Sequence, residues 1–279
     1  MPFKTILVSL NDLERNTALL DSAARLARDH DAHLQGIYVI PAIEIYATVG
    51  LAPMVLEERR ELFKRAERAV RMSFETVLGD MGIRGTFEAV DSASPDITND
   101  VIDRARRSDI TIISQPSEES SLSASGRSFV ERILLSTGRP TIVIPRTGKG
   151  SMTADLAIVG WSGTREGARA AFDSIPLLKN TKKVRVVWVD PEKTHPYTRG
   201  APEAELAMTL SRHGINAVFE PITTEGEEAG EVLLSAVADS SAELLVMGAY
   251  GRSRISEMIL GGATRTVLSD MRCPVLFSH

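Results

Sequence analysis

The chain has 279 residues, with 32 Lys and Arg against 37 Asp and Glu, a formal net charge of −5, 43% hydrophobic and 25% charged residues. That balance is the one expected of an ordinary soluble globular protein. It excludes a general nucleic-acid binder, which needs a basic face for phosphates, and no run approaches the ~20 apolar residues of a bilayer span. The single cysteine, Cys273, excludes an intrachain disulfide and predicts a reducing compartment, the cytoplasm.

In chain order, short apolar β-branched runs alternate with longer amphipathic stretches, the signature of a parallel sheet covered by helices. The start, Met1–Leu10, lacks the features of a signal peptide and reads as the first strand. Strands are predicted at Thr5–Leu10, Leu34–Ile40, Gly85–Val90, Ile110–Ser114 and Thr141–Ile144. Helices fit between them at Thr17–Arg28, Val55–Leu78, Ile97–Arg107 and Phe129–Ser136. In the second helix Leu56, Leu62, Phe63, Ala66, Val70 and Phe74 form one apolar stripe.

The segment from Pro145 to Thr153 is polar and rich in glycine, and it reads as a linker. The plan then restarts, with strands at Leu156–Trp161, Val184–Val189, Ala217–Pro221, Leu244–Gly248 and Val275–Phe277. Helices are predicted at Glu166–Leu178, Glu203–Arg212 and Glu231–Asp239, with another starting near Ala263. One register sets Asp109 on Glu243, Phe129 on Ala263 and Pro140 on Pro274 without a gap. A strand, loop, helix and strand that superpose without gaps point to duplication, and to domains at 1–147 and 153–279.

The most informative stretch follows the strand Leu244–Gly248. Its glycines, Gly248, Gly251 and Gly261, are spaced G-x2-G-x9-G, with Arg252 and Arg254 between them and Gly262 opening the next helix. Glycine at a strand's carboxyl end lets backbone approach a ligand. Backbone N–H groups at a helix N-terminus favour phosphate. The pattern is neither a Walker A loop nor a G-x-G-x-x-G fingerprint. It resembles the nucleotide loop of the universal stress protein family, and the resemblance covers both halves.

That resemblance implies an α/β chain of two tandem Rossmann-like (HUP/adenine nucleotide alpha hydrolase-like) domains, each with a five-stranded parallel sheet flanked by helices. It implies that the two domains pair like a dimer of single-domain members, with further homodimerisation left open. Thr141–Ile144 and Val275–Phe277 would be the pairing edges. It also implies an adenine nucleotide (ATP, ADP or AMP, with Mg2+ as an optional companion) in the second domain. Gly248, Gly251, Arg252, Gly261, Gly262, Ala263 and Thr264 would hold phosphate. Val159, Trp161, Ser162, Val189 and Val246 would hold adenosine. Two positions depart from the family pattern: Ser162 stands where a carboxylate is usual, and Gly262 where a hydroxyl is usual.

In the first half the same register puts Ser114 at Gly248, Ser117 at Gly251, Arg127 at Gly261 and Glu118 at Arg252, with Pro116 removing a backbone donor. The first loop thus keeps its length and loses its chemistry. Elsewhere, the five histidines show no metal-ligand spacing. Ser162-Gly-Thr164 lacks a nucleophile elbow. Trp161 and Trp188 either flank a base or cap the core. Tyr250 reads as a wall of the site, and Asp190–Gly200 as a lid or a plain connection. Neither a catalytic group nor a metal site is predicted, so turnover beyond slow ATP hydrolysis is not expected. The leading expectation is a stress-response protein that senses adenine nucleotide; the alternative is a nucleotide-independent scaffold or chaperone-like partner with a vestigial loop.

Overall fold

In a computed structural model of the chain the described residues are 2–43, 53–116, 126–147, 150, 152–194, 202–249 and 261–279. The chain divides into two compact units, Pro2–Thr137 and Gly138–His279. The first contains β1 (Thr5–Ser9), α1 (Asn16–His30), β2 (His33–Ile40), α2 (Pro53–Met81), β3 (Gly85–Asp91), α3 (Thr98–Ala105), β4 (Ile110–Ser114) and α4 (Arg127–Ser136). Its strands lie in the order β3-β2-β1-β4, with parallel pairings throughout. β1 and β4 are nearly continuous apolar runs, and β4 is buried at every position, as strands covered on both faces must be. Leu19, Leu20, Ala23, Leu26 and Ala27 of α1 turn inward at helical spacing. On α2, Phe74 packs its ring 5.6 Å from that of Phe87 on β3.

The second unit comprises β5 (Thr141–Ile144), β6 (Leu156–Trp161), α5 (Arg165–Asp173), α6 (Ile175–Leu178), β7 (Lys183–Val189), α7 (Pro191–Thr194), α8 (Pro202–Arg212), β8 (Ala217–Ile222), α9 (Ala229–Ser240), β9 (Leu244–Gly248), α10 (Gly262–Asp270) and β10 (Val275–Ser278). The strand order is β5-β10-β9-β6-β7-β8. All of these pairings are parallel except β5 with β10, which are antiparallel through Val275↔Val143 and Phe277↔Thr141. The two strands expected to pair do so, and Thr141–Ile144 groups with the second unit through those hydrogen bonds. The α/β class and a mostly parallel sheet are as the sequence predicts.

Two local differences have simple causes. The helix expected over Glu166–Leu178 is divided at Ser174, because Pro176 has no N–H to donate to the Phe172 carbonyl. Within the polar stretch after Asp190, a single turn, α7, forms.

Candidate functional site

The strand order of the second unit reverses direction between β6 and β9, and open α/β sheets bind ligands outside the carboxyl ends of strands at such a point. A cavity of about 250 Å³ opens there. Its floor is made by the last residues of three strands: Gly160 and Trp161 of β6, Val187 to Val189 of β7, and Met247 and Gly248 of β9. Ser162, Thr164 and Glu166 lead from β6 into α5 along one side. The start of α9 (Ala229, Leu233) and the start of α10 (Gly261 to Thr264) close the other. The walls are mostly apolar.

Of the residues expected to hold a nucleotide, Trp161, Ser162, Val189, Gly248, Gly261, Gly262, Ala263 and Thr264 therefore border one cavity. Gly251, Arg252 and Tyr250 lie outside the described residues. Val159 and Val246 do not border it. They pair with each other across β6 and β9 and are 0% exposed. Both strands end where the sequence predicts, and it is the next pair, Gly160 and Met247, that borders the cavity.

Gly248 is a glycine for a reason the sequence did not suggest. A Cβ there would lie 2.6 Å from the Glu166 carbonyl carbon and from the Gly167 nitrogen. The backbone of α5 crosses the end of β9 at that point, so only a residue without a side chain fits.

Trp161 and Trp188 are register partners on β6 and β7, and their rings meet edge to face at 6.4 Å and 89°. This T-shaped packing is a favoured aromatic geometry. The two indoles pack edge to face at one wall; they do not stand on opposite sides of a slot.

The turn into α5 organises its own polar groups. Gly163 takes φ +66, a conformation glycine adopts without strain. The Ser162 and Thr164 hydroxyls are 2.9 Å apart, and Thr164 Oγ1 accepts from the Gly167 N–H at 3.2 Å as the helix cap. Glu166, buried in this turn, is bound by the Arg165 guanidinium at 2.8 Å. Burial pushes its carboxyl upward. Its own backbone N–H, Arg165 and the Thr164 hydroxyl outweigh that and hold it below the ordinary carboxylate range. Glu166 is thus an ionised group on the cavity wall. Its place after the capping threonine could have revealed it in the sequence.

At the far end of β7, Asp190 adopts φ +47. Its carboxylate accepts from the Thr224 N–H and hydroxyl, both at 2.8 Å, tying β7 to the residues after β8. In the first unit a side chain joins the ends of β1 and β2. β1 stops at Ser9, and the Asn11 side chain takes over its role beside β2, donating to the Val39 carbonyl at 2.7 Å and accepting from its N–H at 2.9 Å. A cleft of about 340 Å³ in this unit lies further along, at the ends of β2 and β3 beside Leu56 and Arg60 of α2.

The Universal stress protein family model matches residues 182–279. Two curated universal stress proteins of Mycobacterium tuberculosis, from strains CDC 1551 / Oshkosh and ATCC 25618 / H37Rv, are each 28% identical over 138 residues. Those matches span 46% of this chain and half the length of each relative. Among solved structures, a universal stress protein from Archaeoglobus fulgidus DSM 4304 superposes over 98% of this chain and 95% of its own, with a TM-score of 0.71 at 16% identity. A functionally unknown protein from Pseudomonas aeruginosa PAO1 covers 99% and 92%, with a TM-score of 0.62 at 13% identity. The structural likenesses establish the fold over the whole chain. The family match lies within the second half of the chain.

Proposed function

We propose that the second unit binds one adenine nucleotide, AMP, ADP or ATP, and that the chain senses or buffers it in a stress response without metabolic turnover. The observation that carries this reading is the cavity at the β6/β9 switch point, bordered at one end by two tryptophans and at the other by the glycine start of α10. An apolar pocket with few polar groups is what a base and ribose need. A helix N-terminus supplies unsatisfied N–H groups for phosphate. Arg252 and Arg254, between the glycines in the sequence, would add positive charge.

Several features support a single site per chain. Asn11 fills the gap beyond β1 in the first unit, whereas the equivalent turn of the second folds back on itself through Ser162 and Thr164. Ser114 and Arg127 replace glycines there. Photolabelling with an 8-azidoadenosine nucleotide, followed by peptide mapping, tests the assignment. Label is expected in peptides containing Trp161, Trp188 or Ala263, and to be competed away by AMP. Label confined to Pro2–Thr137, or not competed, would refute it and favour the nucleotide-independent scaffold.

A further inference from the structure

Among the described residues on the cavity wall the ionisable one is Glu166, and it is paired with the Arg165 guanidinium at 2.8 Å. A second carboxylate, Glu228, stands just before α9, beside the start of α10. A Cβ placed on Gly262 would lie 3.2 Å from Glu228 Oε2 and 3.5 Å from Oε1. The same Oε2 accepts from the Thr266 hydroxyl at 3.4 Å, one helical turn along. Glu228 therefore lies along the first turn of α10, in the place that a side chain at 262 would enter.

This arrangement sets the Glu228 carboxylate against Gly262. A Cβ there would make a tight contact with the carboxylate, which would have to shift by a few tenths of an ångström. It also gives the carboxylate a consequence. A negative group near a helix N-terminus interacts favourably with the dipole, and so competes with a phosphate for the same field. A second phosphate would add like charge beside the Glu228 carboxylate.

We infer that Glu228 is a specificity-determining residue that makes the cavity select adenosine or its monophosphate over nucleoside triphosphates. This rests on the adenosine-binding reading of the same cavity. Glu228 is exposed to solvent, so screening keeps the effect moderate, roughly three- to tenfold in ATP affinity.

The test is calorimetric titration of the full chain and of Glu228→Gln with adenosine, AMP and ATP, each with and without Mg2+. Glutamine keeps the size and the contact to Thr266 while removing the charge. Wild type is expected to bind ATP more weakly than AMP. Glu228→Gln is expected to raise ATP affinity by about fivefold and leave adenosine unchanged. An equal change for all three ligands, or none, would overturn the inference while leaving the adenosine site intact. So would a loss of ATP affinity in the variant only when Mg2+ is present, because Glu228 would then be a cation ligand. Failure of all three ligands to bind either protein would contradict the adenosine site itself, and this inference with it.

Discussion

The Asn11 side chain donates to the Val39 carbonyl at 2.7 Å and accepts from the Val39 N–H at 2.9 Å. One residue of β2 thus has both backbone groups satisfied by a single amide after β1 has ended. Asn11→Ala would strand both groups in a buried setting, where each costs about 1–3 kcal/mol. Urea unfolding of the chain should show a loss of roughly 3 kcal/mol in the transition that reports the first unit. Nucleotide affinity should not change. A loss below about 0.5 kcal/mol would show that water or a strand shift replaces the amide.

Gly248→Ala tests the crossing of α5 over β9. With backbone atoms 2.6 Å from the added carbon, α5 or the strand end must move, at a cost of about 1–3 kcal/mol. Thermal unfolding should show the destabilisation, and AMP affinity should fall because Glu166 and Thr164 ride on the displaced segment. Unchanged stability and binding would mean that the glycine serves neither.

The two tryptophans of the chain both border the cavity and touch one another edge to face. Intrinsic fluorescence excited at the indole band should therefore report the site without a label. Adding AMP should change emission saturably, and Trp161→Phe should remove much of that change. A signal unaltered by saturating AMP would place the ligand elsewhere.

His30 supplies a pH prediction. It is buried against Phe3, and its Nδ1 accepts from the Phe3 N–H at 3.4 Å, a contact that only the neutral ring can make. Desolvation, the largest cause, depresses its pKa; Lys4 adds to this and Asp29 opposes it. In the unfolded chain the ring titrates near 6.5. Its stabilising contribution is therefore present above about pH 6.5 and is lost as pH falls through the depressed folded value. Unfolding free energies of wild type and His30→Gln should differ most at neutral pH and converge on acidification. A constant gap from pH 7 to 5 would contradict this.

Much of the fold was legible because the signals were strong. Strands such as Ile110–Ser114 and Leu244–Gly248 are unbroken apolar runs bounded by turn residues, and buried parallel strands leave little ambiguity. The division of the helix after β6 follows from Pro176, which the predicted helix Glu166–Leu178 ran through. The site was only partly legible. Glycine spacing pointed to the start of α10, yet Val159 and Val246 lie one residue short of the cavity, paired with each other and buried inside the sheet, although both strand ends fall where predicted. Glu166 and Glu228 escaped notice because their significance lies in three-dimensional neighbours: Gly248 under α5, and Gly262 beside the start of α9. A glycine that makes room for backbone or for a carboxylate looks, in sequence, like one that makes room for a ligand.

The most direct test of the central claim is the stoichiometry of AMP binding to the full chain by calorimetry, with Gly251→Glu as the companion variant. The account predicts one site per chain in the wild type. In the variant, whose new carboxylate falls within the glycine loop, binding should be lost while the far-ultraviolet circular dichroism is retained. Two sites per chain, no binding by the wild type, or undiminished binding by Gly251→Glu would contradict it.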